Sequence, residues 1–472
     1  MAIAISQEAF DAMVRENMED LGMDADEALA DAVDALTLQG ADLSGIIKRV
    51  PGEAAAAEVS PVMRVLDEVK ASSASDSDSG GRSEEDAERL ASLLDELREL
   101  CSGDGLENAA VAARNGGVEA LVALCASAGV KQERLLASGL KALSSLLCDV
   151  GSTEKFRQSE GPQVVMGILK GGSESSDILE GGFRVVASAS AGNEVVKECF
   201  MVLKVDELIF QVMGEKSNSN VQSLYDAIRV LLTPDDNRVV ASQVYGYSRR
   251  FAETGIAAVL VNALREKVAP SSLPSACAAL KAIAVNDEIC RSISENGGID
   301  VLLRCIDEAS EQKNKVIAKS CCSLLSKVCN HSFCLKLAGS DANKTTIIER
   351  GGFDKFLKLT SRFSEDPPII QEVMSMVTIL TLRSPENAAR AMGAGYGTLA
   401  IQAMQKFPSS AQTQKQACLM IRNLVVRNPE NRTILLNDGV EKLIRKTKMM
   451  HGSCKDAATS ALRDLGVDNY NA

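Results

Sequence analysis

The densest group of side chains that could bind a metal or act as nucleophiles is Cys321, Cys322, Cys329, His331 and Cys334. Thiolate and imidazole are ligands that zinc prefers, and a cysteine beside a histidine can be activated as a nucleophile. Cys321 and Cys322 are adjacent, however, so in a helix they point to different faces, and the paired C-x-x-C spacing is missing. The pattern favours buried structural thiols, and we expect no metal ion and no cofactor.

A second chemical signal is the stretch Gly393-Ala394-Gly395-Tyr396-Gly397, which superficially resembles a phosphate-binding loop. Such a loop needs a strand before it and a helix after it, and no strand pattern precedes this stretch. The chain has two histidines, His331 and His451, and nothing in the sequence supports their pairing with a serine or cysteine. We therefore expect no catalytic residues and no enzyme activity.

A glycine cassette recurs along the chain at a nearly fixed step. A glycine, often doubled, follows a short apolar stretch and precedes an apolar run rich in leucine. Glycine enters the left-handed region without steric penalty, so it suits a sharp turn between two helices. The step is 43 or 44 residues over most of the chain, with one insertion near residues 338–344. The cassettes end at Gly117, Gly161, Gly255, Gly298, Gly352, Gly395 and Gly439, with a glycine-less version at 202–208.

This period decides the fold class. Repeats of roughly 40–47 residues are typical of helical HEAT and armadillo solenoids. Within a repeat, leucines such as Leu136, Leu140 and Leu143 are spaced by three and four, as a buried helix face requires. Since no repeat can bury its apolar faces alone, neighbouring repeats must stack. We predict an all-α solenoid of about eight repeats over residues 84–472.

Charge divides the chain unevenly. Residues 1–100 contain 8 Lys and Arg against 24 Asp and Glu, whereas the remainder holds 43 basic and 40 acidic residues. We predict an acidic helical N-terminal region over 1–70, whose second helix begins at the capping sequence Asp24-x-x-Glu27. Residues 71–83 have the Ser, Asp and Gly composition of a disordered linker.

The cysteines are scattered singly, and the sequence has neither a cleavable signal nor an apolar run near 18 residues. We expect no membrane association, a reducing compartment, and hence the cytoplasm, with the nucleus as a second location. We also expect a monomer.

Both ends of the chain carry short family motifs. These are Ile5-Ser6-Gln7-Glu8-Ala9-Phe10-Asp11, Val14-Arg15-Glu16-Asn17, Gln39-Gly40-Ala41-Asp42-Leu43-Ser44, Gln414-Lys415-Gln416-Ala417-Cys418, Ile421-Arg422-Asn423-Leu424-Val425 and Ala461-Leu462-Arg463-Asp464-Leu465-Gly466. They resemble the armadillo repeat-containing protein 6 family over nearly the whole chain. The resemblance implies a right-handed armadillo-type α-solenoid and an intracellular interaction protein without catalytic residues.

Better-understood armadillo proteins bind extended peptides in a concave groove, through an asparagine on the third helix of each repeat and, in nuclear-import adaptors, through tryptophans. This chain has no tryptophan. Alignment of its third helices leaves only Asn423 as a match, with a peptide contact and a local cap both open as its role. The aligned positions are Ser145, Val230, Ala282, Lys327, Ile379 and Asn423.

Basic residues occupy positions at or next to the aligned ones. Arg229, Lys281, Lys327, Arg422 and Arg427 are expected along the inner side of the solenoid. They form either an ordinary solvated helix face or a weakly basic groove for an acidic ligand. That ligand is a partner segment or, within the chain, the acidic residues 1–70.

A second basic stripe comprises Lys442, Arg445 and Lys446, spaced so that they lie near one helix face. A solvated face is the simpler interpretation, and a docking site for acidic partners is the alternative. Because the repeats are near neutral and no aromatic residues interleave with the cations, nucleic-acid binding is not expected.

Two functions stay open. The first is a non-enzymatic scaffold or adaptor that holds a protein partner on the concave surface of the solenoid. The alternative is an escort or transport-type receptor for extended peptide segments, against which the missing tryptophans and asparagines argue.

Overall fold

The chain forms two compact units, Met1–Tyr247 and Ser248–Ala472, whose boundary lies within one helix. The computed structural model describes the chain apart from residues 1–2, 44–45, 47, 49–59, 75–82, 104, 129–131, 173, 215–220, 236–240, 267, 330–337 and 472. Its described residues contain 28 α-helices and two strands of two residues each. The all-α prediction is confirmed.

The N-terminal region is a helical hairpin. Helix α1 (Gln7–Glu19) packs against α2 (Ala25–Leu38), and strands β1 (Ile3–Ala4) and β2 (Ala41–Asp42) pair in parallel beside them. As predicted, Asp24 caps α2 by accepting a hydrogen bond from the backbone of Glu27 at 2.8 Å. The hairpin buries a small apolar core of its own, which comprises Phe10, Val14, Ala28, Ala32, Leu36, Leu43 and Ile46.

The rest of the first unit is built from stacked helices. They are α3 (Pro61–Ala74), α4 (Glu84–Leu100), α5 (Leu106–Arg114), α6 (Gly117–Ser127), α7 (Glu133–Leu146), α8 (Val150–Gln158), α9 (Gly161–Gly171), α10 (Ser176–Ser190), α11 (Glu194–Val202), α12 (Val205–Gly214) and α13 (Gln222–Leu231). Helix α14 (Ala241–Glu253) contains the boundary between the units.

The second unit continues the pattern. Its helices are α15 (Ile256–Arg265), α16 (Leu273–Ile283), α17 (Asp287–Glu295), α18 (Gly298–Glu311), α19 (Lys315–Cys329), α20 (Ala338–Glu349), α21 (Gly352–Arg362), α22 (Pro367–Thr381), α23 (Pro385–Gly393), α24 (Tyr396–Lys406), α25 (Ala411–Val425), α26 (Pro429–Asn437), α27 (Val440–Met450) and α28 (Lys455–Asp464). A 3-10 turn, Gly452–Cys454, precedes α28.

From α5 to α28 these helices form eight repeats of three, which confirms the predicted number. The third helices pack directly on one another, as α7, α10 and α13 in the first unit, where α4 packs on α7 in the same way, and as α16, α19, α22, α25 and α28 in the second. Their apolar stripes are buried between repeats, so the core grows with repeat number. Within the described ranges no single helix is long and apolar enough to cross a membrane; α5 and α6 reach that length only together, across a 75° bend.

Helix α3 belongs to the stack, because it packs against α4, α5 and α6 as a second helix would. It ends at Ala74, so the first four residues of the predicted 71–83 linker are helical. Residues 75–82 lie outside the described part of the chain. The Ser-rich sequence that predicted a linker therefore starts within the last turn of α3.

The glycine cassettes are the turns between the first and second helices of each repeat, as predicted. The residue before the second helix takes a left-handed φ, and the next residue packs tightly; a Cβ on Gly298 would lie 2.7 Å from the carbonyl oxygen of Ile293. In two repeats a non-glycine residue is left-handed, Glu160 at φ 56° and Lys204 at φ 64°. The glycines with positive φ at these turns are Gly116, Gly255, Gly297, Gly351, Gly395 and Gly439.

Candidate partner-binding surfaces

The third helices of the second unit carry an excess of cations. Along α16, α19, α22 and α25 the sequence contains six basic residues and one carboxylate, Glu372. Three of them are exposed and three are partly buried, and two meet a carboxylate: Lys315 pairs with Asp366 at 3.8 Å and Arg422 with Asp464 at 3.1 Å. We call this surface the basic third-helix face. Its basic residues are Lys281, Lys315, Lys319, Lys327, Lys415 and Arg422.

Glu372 lies on α22, which packs against α19, and α19 packs in turn against α16. The Nζ of Lys281 reaches across from α16 and donates to the hydroxyl of Ser323 on α19 at 2.7 Å. Burial raises the pKa of the half-buried Glu372, and the charges of Lys319 and Lys281 act against that rise. Both lysines are therefore close enough to the carboxylate for their charges to act on it. The local balance is two cations to one anion.

Sequence reasoning found part of this face. Lys281 and Lys327 lie on the adjacent helices α16 and α19, as expected. It missed Lys319 and Lys415, which precede Lys327 and Asn423 by eight residues and so share a helix face with them. Within the described part of the chain no ion pair or hydrogen bond engages Lys327 or Lys415. Extending the alignment by two helical turns would have found both.

Two other predicted groove cations behave differently. The Nε of Arg422 donates to a carboxylate oxygen of Asp464 at 3.1 Å, and that carboxylate is 10% exposed. Arg422 therefore joins α25 to α28, with 42% of its side chain left exposed. Arg427 lies beyond the end of α25, in the turn before α26, and is exposed. Arg427 follows the last residue of α25, Val425, by two positions, and its predicted place on the inner side of the solenoid stays a prediction.

Asn423 is not a free peptide-binding amide. Its Nδ2 donates to the backbone carbonyl of Thr378 on α22 at 2.8 Å, and the residue is 8% exposed. Of the two roles left open by the sequence, the cap is the one that the contact supports. The cap serves the preceding repeat rather than its own helix.

Arg229 lies in the first unit, apart from the other five predicted groove residues. It is 47% exposed and faces Asp226 one turn away on α13, with 3.9 Å between Nε and the carboxylate. Third-helix cations elsewhere in this unit also meet carboxylates. Arg134 contacts Glu88 at 3.1 Å and Asp95 at 3.2 Å.

The three basic residues of the predicted stripe on α27 differ in their contacts. Arg445 is bonded to Glu441 at 2.8 Å and donates to the backbone carbonyls of Asp468 and Asn469 at 2.8 and 3.2 Å. It therefore anchors the C-terminal segment. Lys442 and Lys446 are exposed, and no hydrogen bond or ion pair of the described residues engages them.

Most of the described cysteines are buried in the repeats, whereas Cys148 is exposed and Cys199 is partly buried. Cys321 and Cys322 are buried, and the sulfur of Cys321 lies 3.9 Å from that of Cys277 in the preceding repeat. Burial raises the pKa of the Cys329 thiol to about 12, which keeps it protonated and unreactive. Among the described residues no three His, Cys, Asp or Glu side chains are grouped to hold a metal ion. His331 and Cys334 lie outside the described residues.

The remaining catalytic candidates have structural roles. Gly395 is the left-handed turn between α23 and α24, at φ 101°, and it follows a helix instead of a strand. The ring Nε2 of His451 lies 2.8 Å from the carbonyl oxygen of Pro408, beside the end of α24. Both residues close turns between helices, where their contacts are with the backbone.

A cavity of about 700 Å³ in the first unit lies between the N-terminal hairpin and the start of α8. Its polar groups are largely engaged with one another. Lys155 donates to the carbonyl oxygen of Ala113 at 2.9 Å, and Asp149 and Ser152 form a reciprocal capping box. The lining mixes both signs of charge with apolar side chains, and it favours no single ligand class.

Sequence comparison places this stack of repeats among known proteins. A profile of the armadillo repeat-containing protein 6 (ARMC6) family matches residues 62–470, and the N-terminal domain of the same family matches residues 2–80. The chain belongs to the armadillo repeat-containing protein 6 family. Its relative in Homo sapiens is 27% identical over 397 residues, covering 81% of this chain and 75% of that protein. The Drosophila melanogaster homologue is 26% identical over 393 residues, covering 82% and 79%.

Solved structures agree on the fold of this ARMC6-family chain. An engineered protein superposes with a TM-score of 0.55 at 16% identity, covering 85% of this chain and 99% of its own. The predicted resemblance and armadillo-type fold are confirmed. Armadillo-repeat families such as this one are generally non-enzymatic, and their fold is typical of protein-interaction scaffolds.

Proposed function

We propose that this chain is a non-enzymatic interaction scaffold that holds an acidic segment of a protein partner on the basic third-helix face of the second unit. The observation that carries the proposal is the charge balance of α16, α19, α22 and α25, with six cations and one carboxylate. Cations are the default on exposed helix faces, but they are usually balanced there by acidic neighbours.

The contrast between the two units supports a ligand rather than a solvated surface. In the first unit Arg134 reaches Glu88 and Asp95, and Lys141 reaches Asp177 at 3.3 Å. Such surface pairs satisfy the cations within the solenoid itself. Lys319, Lys327 and Lys415 have no such partner among the described residues. Their charge is available to carboxylates from outside.

The escort function is less well supported. An import-type receptor needs amides free to bond an extended peptide backbone, and Asn423 donates its amide hydrogen to Thr378. Lysine ammonium groups recognise acidic side chains as point charges, without reading the peptide backbone. The proposed ligand is accordingly defined by its charge.

The test is a binding titration with a fluorescein-labelled 12-residue peptide of alternating Glu and Ser, followed by anisotropy. For Lys281→Glu/Lys319→Glu/Lys327→Glu we expect a loss of affinity of about tenfold or more, and a steep loss with added salt in the unaltered chain. The matched control is Lys442→Glu/Lys446→Glu, which reverses exposed cations on α27. Equal loss in both variants, or none in either, would contradict the proposal; unchanged circular dichroism keeps unfolding apart from lost contacts.

A further inference from the structure

Helix α2 carries an exposed acidic stripe. Residues 3–42 contain eleven Asp and Glu against one basic residue, and no ion pair within the described part of the chain engages any of these carboxylates. Three of them, Glu27, Asp31 and Asp34, are exposed and follow one another at steps of one helical turn. Leu38 continues the same line by four residues and is 88% exposed. We call these four side chains the α2 stripe.

The α2 stripe does not belong to the core of the hairpin. The residues of α2 that point into that core are Ala28, Ala32 and Leu36, and they are buried. Each follows a position near the stripe by one or two residues, which is a rotation of about 100° or more around the helix. Asp31 also accepts a hydrogen bond from Nδ2 of Asn17 at 3.2 Å, through one of its two oxygens. The folded hairpin therefore presents the stripe to solvent.

Helix α19 presents a line of cations with similar steps. Lys319 and Lys327 are eight residues apart, and Ser323 lies midway between them. The Nζ of Lys281 donates to the Ser323 hydroxyl at 2.7 Å, so a third ammonium occupies the middle of the line. Val316 precedes Lys319 by three residues and is 56% exposed. We call Val316, Lys319, Lys281 and Lys327 the α19 stripe.

The two stripes match in length and in order when the helices run antiparallel. Each extends over eleven positions, from 27 to 38 and from 316 to 327, which is about 16 Å along a helix. In this orientation every carboxylate meets an ammonium and the two apolar side chains meet each other, whereas a parallel orientation sets both apolar side chains against charges. The antiparallel pairs are Leu38 with Val316, Asp34 with Lys319, Asp31 with Lys281, and Glu27 with Lys327.

We propose that the α2 stripe of one copy of this chain packs antiparallel on the α19 stripe of a second copy, in place of the monomer expected from the sequence. This rests on the function proposed above, and it names the acidic segment that the basic third-helix face holds. The α2 stripe and three members of the α19 stripe are exposed, and Lys327 is partly buried. Both stripes are thus open to another molecule. In a two-fold dimer the contact is made twice, because each copy gives its α2 and receives that of the other.

The contact is weak and depends on salt. Exposed ion pairs contribute little individually and are screened by added ions. Because α2 is already folded, however, its three carboxylates are held in line and lose little freedom on binding. The association should therefore appear at high protein concentration and weaken by about tenfold between about 50 and about 300 mM NaCl.

Sedimentation velocity of the full chain tests the self-association. At about 50 mM NaCl, the average mass should rise above that of the monomer as the loading concentration increases from about 5 to about 200 μM. A monomer at every concentration overturns this proposal. The titration with the Glu-Ser peptide then separates the two proposals: if the peptide binds, the basic third-helix face takes an acidic ligand other than α2, and if it does not, the proposed function fails as well.

Two charge reversals test the pairing itself. The variants Glu27→Lys/Asp31→Lys/Asp34→Lys and Lys281→Glu/Lys319→Glu/Lys327→Glu should each lose self-association by about tenfold or more, since two like-charged stripes repel. An equimolar mixture of the two variants should restore association, because the reversed α2 of one meets the reversed α19 stripe of the other. Only a contact between copies, made by folded chains, gives this restoration. Loss in both variants without restoration, or loss in neither, overturns the proposal.

A matched control separates the stripe from net charge. The variant Glu8→Lys/Glu16→Lys/Glu19→Lys reverses three exposed carboxylates on α1, in the same hairpin and outside the α2 stripe. It should keep self-association within about threefold of the unaltered chain. A loss equal to that of the α2 reversal would mean that the acidity of the hairpin acts as a whole, and the match between the two stripes would be wrong.

The apolar end of the match has its own test. Leu38→Ser should weaken self-association by about fivefold, because Leu38 loses its contact with Val316. Val316→Ser should have the same effect, and the double variant should add little to either single change. The control is Leu21→Ser, at a side chain 63% exposed in the turn between α1 and α2, which should change the association less than about twofold. Equal losses from Leu21→Ser and Leu38→Ser would overturn the antiparallel match.

Discussion

The side-chain amide of Asn423 donates a hydrogen bond of 2.8 Å to the backbone carbonyl of Thr378, joining the third helices of two neighbouring repeats. Thr378 lies in the last turn of α22, where the N–H of Leu382 bonds to Ile379 instead. Carbonyls in the last turn of a helix lack an intrahelical donor and need a partner from elsewhere. Asn423 supplies that partner, so one residue of α25 caps the end of α22.

The first prediction follows from that bond. Asn423→Leu should destabilise the chain by about 1 kcal/mol, because the carbonyl of Thr378 loses its amide donor and keeps only the longer contact from the Thr381 hydroxyl at 3.3 Å. Urea unfolding followed by circular dichroism measures the change. Binding of the Glu-Ser peptide should stay unchanged. Unaltered stability combined with lost peptide binding would instead make Asn423 a ligand contact.

The second prediction concerns the two left-handed turns without glycine. Glu160→Gly and Lys204→Gly should each stabilise the chain by about 0.5–1 kcal/mol, because the left-handed strain of about 1–2 kcal/mol exceeds the entropy that glycine adds to the unfolded chain. Thermal melting of the single variants checks this. Gly297→Ala is the opposite control: its φ of 79° should make it destabilising. A drop in melting temperature for both glycine variants would contradict the argument.

The period of the cassettes was enough to predict the helical repeats, because a turn must recur wherever a helix pair restarts. It could not say which residue of a cassette is left-handed. In Gly297-Gly298 the first glycine takes the positive φ and the second allows close packing, while in Glu160-Gly161 only the packing glycine remains. A Cβ on Gly161 or Gly298 would lie 2.6 or 2.7 Å from the backbone carbonyl oxygen of Phe156 or Ile293, a contact that a sequence pattern does not reveal.

The candidate surface was harder to predict than the fold. The alignment found Lys281 and Lys327 because they occupy equivalent helix positions. It could not show that Arg422 pairs with Asp464, or that Asn423 reaches Thr378, since these partners lie 42 and 45 residues away. Whether a side chain faces solvent or the next repeat depends on rotamers and on the packing of helices distant in sequence.

The third prediction concerns a buried cation in the first unit. The ammonium of Lys197 is 1% exposed and bonds to Glu194 at 2.9 Å, to Asp235 at 2.5 Å and to the carbonyl of Thr233 at 2.7 Å. Lys197→Met should destabilise the chain by about 2 kcal/mol, because Glu194 and Asp235 lose a buried charged donor and keep only their bonds from the backbone N–H groups of Asp235 and Gly192. Lys170→Met, at an exposed site on α9, should cost less than about 0.5 kcal/mol.

Hydrogen exchange would locate the effect of Lys197→Met. Because the lysine ties α11 to the segment that follows α13, the amides of α11 and α13 should exchange faster, while those of the second unit keep their protection. A change in exchange spread over both units would mean that Lys197 supports the stack in a different way.

The last prediction uses the anion within the basic third-helix face. Burial raises the pKa of Glu372, so this side chain becomes negatively charged at a higher pH than an ordinary glutamate does. The carboxylate is neutral well below its raised pKa and negative above it, where it repels an acidic ligand and partly neutralises Lys281 and Lys319. Glu372→Gln should therefore tighten binding of the Glu-Ser peptide at pH 7 by about threefold, a change expected for one charge acting near the surface.

The pH dependence separates this charge effect from a change of shape. As the pH falls from 7 through the raised pKa of Glu372, binding by the unaltered chain should approach that of the Glu372→Gln variant, because both then carry a neutral side chain at this position. The peptide's own carboxylates also protonate in this range, so the ratio of the two affinities at each pH is the quantity to measure. A ratio that stays constant with pH would show that Glu372 does not act on the ligand through its charge.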